Sequence, residues 1–280
     1  MKHLGIYSNK TDIQAAIDLN QLVKPYVALY NNGNVDFNSL TITDYSKEYL
    51  TFKILSDGDI VWYNPSSKSY HHKTIQYSKN NGGTWQNAEL KSNQTFSIPV
   101  VSGDIILFKG TNDAYCASDG SYWHTFKSTC QFEAYGNILS LIYGDNFINQ
   151  TTFPNNSSYN FRLLWRDCTR LISVKNLILP ATSLTETCYS AMFSGCTSLT
   201  TAPELPATTL ASNCYQQMFS GCSNLNYIKC LATDISANFC TSNWVSGVAA
   251  NGTFIKNPNM NSWTSSNNGI PEGWTVQDAS

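Results

Sequence analysis

Nine cysteines and four histidines are the residues of this 280-residue chain best equipped for nucleophilic or metal chemistry. Their spacing serves neither. A zinc site needs close pairs such as Cys-x-x-Cys, and no two of Cys116, Cys130, Cys168, Cys188, Cys196, Cys214, Cys222, Cys230 and Cys240 stand that near. No His-Glu-x-x-His, Gly-x-Ser-x-Gly or Gly-x-x-x-x-Gly-Lys accompanies His3, His71, His72 or His124. A glycosidase needs two carboxylates facing across a cleft. The sparse acids Asp57, Asp59, Asp104, Asp113 and Asp119 instead fall in turn-like segments, where Asp serves local hydrogen bonds. The sequence therefore assigns no catalytic residue, no metal and no cofactor. The chemistry left to the chain is contact: aromatic stacking with amide and hydroxyl hydrogen bonds.

The elements that would position such contacts repeat. Cys188 to Cys214 and Cys214 to Cys240 are each 26 residues apart, as are Cys196 and Cys222, whereas Cys168 and Cys196 are 28 apart. Leu179-Pro180-Ala181-Thr182, Leu205-Pro206-Ala207-Thr208 and Leu231-Ala232-Thr233 recur in step with them. A fixed period in the range of roughly 20 to 29 residues with recurring leucines marks a solenoid, whose stacked copies share one core and display an extended face. An odd number of cysteines cannot pair fully, so they read as small apolar residues in a stacked ladder. Cys188, Met192 and Cys196 lie four apart, which predicts one or two helical turns facing inward, ended by Gly195; Gly221 does the same in the next copy. Tyr189 and Tyr215, at equivalent positions beside that core, are read as exposed. With Gln216, Trp244 and Trp263 they form the predicted ligand-binding face. Beyond Cys240 the pattern fades, and residues 246–280 are read as a terminal cap.

Ahead of the repeats, residues 46–155 alternate apolar runs with turn signals. Candidate strands are Tyr49 to Leu55, Ile60 to Tyr63, Thr74 to Ser78, Thr84 to Asn87, Thr95 to Val100, Ile105 to Lys109 and Asn137 to Tyr143. This predicts a β-sandwich or jelly-roll-like domain, joined through the polar stretch 151–160 to the repeat region at 156–245. Ser78-Lys79-Asn80-Asn81-Gly82-Gly83-Thr84-Trp85 resembles the Asp-box of sialidases and related β proteins, with Asn80 in place of its Asp. That resemblance implies a hairpin turn and no catalysis. Residues 1–45 form a separate piece. Thr11-Asp12-Ile13-Gln14 fits a capping box opening a helix over 12–22, and Tyr26 to Tyr30, Asn31-Asn32-Gly33-Asn34 and Val35 to Phe37 fit a hairpin. So small a hairpin needs something to lean on. The overall class is mainly β with a minor α+β element.

Composition narrows the function. Only 13% of residues are charged, about half the usual share of roughly 25%, and the net charge is −2. That excludes an electrostatic footprint for nucleic acid. No apolar run approaches the roughly 18 residues needed to span a membrane. The first ten residues carry no secretory h-region, so synthesis in a reducing compartment is expected.

Met192-Phe193-Ser194-Gly195-Cys196-Thr197-Ser198-Leu199 and Leu205-Pro206-Ala207-Thr208-Thr209-Leu210 resemble the BspA-like leucine-rich repeat family over roughly residues 160 to 245. The ending, Tyr227 to Ile235 through Trp244 and Gly273-Trp274-Thr275-Val276, is similar to proteins of Bacteroides and of the crAss-like phages that infect them. Lys24-Pro25-Tyr26-Val27-Ala28-Leu29 looks like the N-terminal piece of phage-encoded members. The resemblance implies a virion fibre or decoration protein, made in the host cytoplasm and displayed on the particle. Residues 1–45, with Tyr7, Pro25, Tyr26, Leu29 and Tyr30, would dock on other virion proteins. The repeat tip would touch a bacterial surface glycan or protein, and the chain would form a dimer or trimer. A secreted or surface-anchored Bacteroides adhesin and a capsule-glycan hydrolase are the alternatives. The register itself is testable: Met218→Ala should cost about 2 to 5 kcal/mol in denaturant unfolding if Met218 is solenoid core. A loss under about 0.5 kcal/mol would place the side chain outside, as surface substitutions do.

Overall fold

Period-two burial builds the first half of the chain. In β3 (Leu50–Ile54) Leu50, Phe52 and Ile54 are buried while Lys53 is exposed. In β4 (Gly58–Tyr63) Ile60 and Trp62 are buried, as alternation requires. The computed structural model describes residues 29–31, 34–36, 44–68, 71–90 and 94–279. The chain divides into two compact units, Met1–Asp44 and Tyr45–Ser280. Of the first, β1 (Leu29–Asn31) and β2 (Asn34–Asp36) pair antiparallel with Asn31 opposite Asn34, as the hairpin reading expects. The helix expected over 12–22 lies outside the described residues.

In the second unit, β5 (Ile75–Ser78), β6 (Gln86–Ala88), β8 (Ile105–Lys109), β10 (Phe132–Asn137), β11 (Leu171–Ser173) and β12 (Leu177–Ile178) join β3 in a seven-stranded sheet. It runs β11-β10-β3-β8-β5-β6, with β12 also on β10. A three-stranded sheet, β7 (Thr95–Val100), β4 and β9 (Thr125–Ser128), contacts it through aromatic rings: Phe126 lies 4.9 Å from Phe52 and 5.1 Å from Phe108. The Asp-box-like stretch is the β5–β6 turn. Asn80 Oδ1 accepts the Thr84 N–H at 2.9 Å, and Asn81 and Gly82 take positive φ. The strand expected over Asn137 to Tyr143 is not one. The Asn137 side chain accepts the Leu139 N–H at 2.9 Å and turns the chain into a short helix, α1 (Ser140–Tyr143). The Ser140 hydroxyl fixes that helix by bonding the Leu50 N–H and the Phe108 carbonyl.

The second half is a β-solenoid of about three turns, and its first rung belongs to the preceding sheet. β11 and β12 run parallel to β10. β13 (Thr201–Leu205), β14 (Tyr227–Cys230), β15 (Thr253–Lys256) and β16 (Thr275–Asp278) then stack in parallel. The segment read as a terminal cap therefore adds two more strands. Nor does packing break at 151–160: Phe153 and Asn160 are buried, and one continuous apolar core runs from Leu50 to Trp274.

The inward turns of each repeat are not helical. Every fourth residue has a left-handed backbone: Thr187, Ala191 and Gly195; Asn213, Gln217 and Gly221; Phe239, Asn243 and Gly247. A helix cannot pass through such positions. Even-numbered N–H groups close local turns, as Met192 does on the Tyr189 carbonyl at 3.2 Å. Odd-numbered ones point sideways to the next rung: Tyr189 to Cys214, Ala191 to Gln216 and Phe193 to Met218, at 2.8 to 3.1 Å. The result is a ribbon of consecutive turns, stitched to its neighbours. The cysteines are all free and buried. The thiols of Cys196 and Cys222 each bond a carbonyl one rung back at 3.0 Å. Met218 is fully buried.

One buried base gives the second unit a pH dependence. His124 Nε2 accepts the Lys73 N–H at 2.9 Å and lies 3.1 Å from the Asn64 amide. Nδ1 therefore carries the proton and donates to the Tyr115 carbonyl at 3.0 Å. Burial, aided by the nearby Lys73, His72 and His71, holds its pKa down to about 3 from 6.5. Above pH 6.5 folded and unfolded chains are both neutral at this site. Below it the unfolded chain takes up a proton that the folded chain refuses. Stability should then fall by up to about 1.4 kcal/mol per pH unit toward pH 3. Asp104, Asp119, Asp145 and Asp234, all held below the carboxylate value of 3.8, act only at lower pH. Urea unfolding at pH 7 and pH 5 should show the loss, and His124→Gln should remove it. A slope unchanged in that variant would refute the assignment.

Candidate functional site

Stacking aromatic residues at one position in successive rungs can present them to a ligand or bury them in a column, and here it buries them. Tyr189 and Tyr215 are 1% exposed and Trp244 is 0% exposed. They form part of a column of rings, Tyr115, Phe161, Tyr189, Tyr215, Trp244 and Trp263, each 5.7 to 6.3 Å from the next. A second column runs Phe126, Trp165, Phe193 and Phe219 and also ends on Trp244. At that rung Thr241 and Val245 stand where earlier rungs have Tyr and Phe, and one indole closes both columns. The expectation that Tyr189, Tyr215 and Trp244 meet a ligand is thus corrected: each inward turn of the ribbon carries its aromatic side chain into the core.

Of the other residues predicted for that face, Gln216 is half-buried in the ribbon. Trp263 is half-buried, stacked on Trp244 at 5.7 Å with 9° between the rings. Its indole N–H is buried without a partner among the described residues. Of the proposed anchor, Tyr7, Pro25 and Tyr26 lie outside the described residues. Leu29 and Tyr30 belong to β1, paired with Asp36 and Val35.

The residue that does face outward was not singled out by sequence. Phe239 is 69% exposed and has φ +54°. A bulky side chain rarely adopts a left-handed backbone, because Cβ crowds the following carbonyl. Two exposed amides, Gln217 and Asn243, and half-buried Asn213 share its left-handed setting; Asn238 beside it is exposed. The Asn213 N–H donates to the Asn238 carbonyl at 3.0 Å and the Gln217 N–H to Ser242 at 2.9 Å, so the two rungs are locked edge to edge. The outcome is one aromatic ring amid uncharged amides on a rigid support. The signal was present in the period: 239 − 213 and 213 − 187 are both 26, so Phe239 falls where Asn213 and Thr187 open their turns.

The opposite side of the solenoid, the parallel sheet, carries outward rows instead. Thr201, Tyr227, Thr253 and Thr275 lie side by side. Lys229 pairs with Glu204 at 2.8 Å and Lys256 with Asp278 at 2.5 Å. The charges on that face are thereby matched within the sheet.

Reactive groups elsewhere are held inert. Burial pushes the thiols of Cys168, Cys188, Cys222 and Cys230 up to about 12, so they stay protonated. Tyr49 is pushed up to about 12 by burial and by its 2.7 Å hydrogen bond to Asp145, which also binds Lys109 at 2.8 Å. Among the described residues no three His, Cys, Asp or Glu side chains gather to hold a metal ion. No helix among them is long and apolar enough to cross a membrane. Comparison with known proteins finds no match among family models, characterised sequences or solved structures.

Proposed function

We propose that this chain is a non-catalytic structural and binding protein of a phage particle, a head fibre or capsid or tail appendage whose solenoid contacts a glycan on the bacterial surface. The observation that carries the binding half is Phe239. An apolar ring held exposed on a strained backbone gains nothing for the fold, and such strain persists where a site uses it. A phenyl face suits the C–H face of a pyranose, and the amides of Asn213, Gln217, Asn238 and Asn243 suit its hydroxyls. Low charge favours neutral ligands over ionic ones.

The particle half rests on the resemblance of the repeat to BspA-like leucine-rich repeats and of the chain's ends to phage-encoded members. In this reading the 46–155 region is a jelly-roll-like body. Residues 1–45 dock on other virion proteins. Assembly as a dimer or trimer multiplies weak contacts into avidity.

Phe239→Asn separates the two demands on that position. Asn enters the left-handed region at little cost, so thermal or denaturant unfolding should show unchanged or higher stability, by about 1 kcal/mol. Binding of the purified protein to host cells or their capsular polysaccharide should fall about tenfold, a loss of about 1.4 kcal/mol. Unchanged binding would remove Phe239 from the contact. Mass spectrometry of purified virions that lacks this chain would overturn the particle assignment.

A further inference from the structure

A second surface feature lies in the second unit, beyond the ribbon face. Residues 115–124 double back on themselves. The His124 N–H donates to the Tyr115 carbonyl at 2.8 Å, Ala117 to Tyr122 at 3.0 Å, and Cys116 bridges Trp123. At the tip, Asp119 accepts the Ser121 N–H at 2.8 Å and Gly120 takes φ +71°. Against this tip lie Ser158 and Tyr159, where the chain begins the first ribbon rung. Between them is an open depression of about 590 Å³, lined chiefly by Ser118, Asp119, Ser121, Tyr122, Ser158 and Tyr159.

Both phenol rings are half-buried and braced. The His71 ring lies 4.6 Å from Tyr122, and His71 Nδ1 is fixed at 2.7 Å to the Ser66 hydroxyl. The Arg162 guanidinium sits over Tyr159 at 5.9 Å while bonding the buried Cys116 sulfur at 3.5 Å. Tyr159 has φ +60° and occupies the same ribbon position as Thr187, Asn213 and Phe239. Asp119 is the one charged side chain in the lining. Hydrogen bonds from Ser121 hold its carboxyl below the usual carboxylate range, so it remains an ionised acceptor.

The lining decides between ligand classes. An apolar ligand would displace water from the Asp119 carboxylate and the serine hydroxyls and offer them no hydrogen bond in exchange. A phosphate or carboxylate ligand would face Asp119 at like charge. A neutral sugar meets both halves of the surface, with hydroxyls for Asp119 and the serines and a C–H face for a phenol ring. We infer that this depression is a binding subsite for a single neutral pyranose, separate from the ribbon contact. It shares with the proposed function only the ligand class and stands whether or not the chain belongs to a particle.

Saturation-transfer difference NMR on the full chain tests it, using the methyl glycosides of glucose, galactose, mannose and N-acetylglucosamine as probes. At least one sugar should receive saturation on its ring protons. Asp119→Ala and Tyr159→Asn should each weaken that binding about tenfold or more. Phe239→Asn should leave it unchanged. Asn fits the backbone of Tyr159, so this variant should melt within a few degrees of the parent and report on binding rather than folding. Silence from all four sugars, or a signal that survives both substitutions, would overturn the subsite. Either result leaves the ribbon contact standing, because that contact is read by cell binding of the Phe239 variant. Loss of sugar binding in Phe239→Asn instead would assign the signal to the ribbon and overturn the subsite.

Discussion

Everything in the second half of the chain depends on the sideways N–H of alternate residues in the turn ribbon. A helix satisfies its N–H groups within itself, whereas here half of them find acceptors only on the next rung. A single rung is therefore not a stable object, and both ends of the stack must be met. At the start, the Asn160 and Leu164 carbonyls accept the N–H groups of Tyr115 and Phe126, and Arg166 accepts from the Lys127 ammonium. At the finish, Asn268 Oδ1 takes the Asn243 N–H, the Asn267 carbonyl takes Val245, and the Gly269 carbonyl takes the Trp244 indole N–H at 2.8 Å. The sheets before the solenoid and the segment between β15 and β16 close the two ends of the ribbon, and residues 45–280 form one unit.

The same stitching fixes what can and cannot be a binding residue. Rungs in register place like side chains above one another, so an inward aromatic becomes a column and an outward one becomes a row. Trp165 and Phe193 stack at 5.4 Å with 7° between planes, and Phe193 and Phe219 at 5.7 Å with 4°. Such columns favour ring shape strongly enough to bury the Tyr189 hydroxyl without a partner among the described residues. In the proposed reading, specific contact falls to the exposed left-handed positions, Phe239, Gln217 and Asn243, where the backbone is held by its neighbours.

Much of this was legible beforehand. The 26-residue period fixed the rung length, and turn signals located β3, β4, β5, β7 and β8 to within a residue or two at their ends. The Asn-Gly hairpin near residue 32 appeared with the register its turn length implies. What was missed has a physical cause. Cys188, Met192 and Cys196 at intervals of four fit a 3.6-residue helix nearly as well as a four-residue turn, so apolar spacing alone could not separate them. The deciding residues were Asn213, Gln217, Gly221, Asn243 and Gly247, four of them glycine or asparagine, which accept positive φ. β9 escaped because Thr125-Phe126-Lys127-Ser128 is short, and β10 because Gly136, at φ +84°, lies inside the strand rather than ending it. Burial of the tyrosines followed from the ribbon and was out of reach until the ribbon was known.

Tyr159 and Phe239 are the aromatic members of one column whose other members are Thr187 and Asn213. Both carry bulky side chains at φ +60° and +54°, and neither is buried. Core packing explains Tyr189 and Tyr215, two residues further along each rung, and Tyr159 packs in part on buried Cys116, Leu163 and Ala191, but nothing in the interior requires a ring at 239. Three rung steps of about 4.8 Å set these residues about 14 Å apart along a rigid edge. A flexible loop would hold two such groups at a shifting distance and spend ordering entropy on every encounter. A stitched solenoid fixes the spacing in advance, so ligand groups displayed at that interval can be engaged together without any rearrangement of the protein. In the proposed reading, the strain at the two positions is the local cost of placing rings on a backbone stitched to its neighbours.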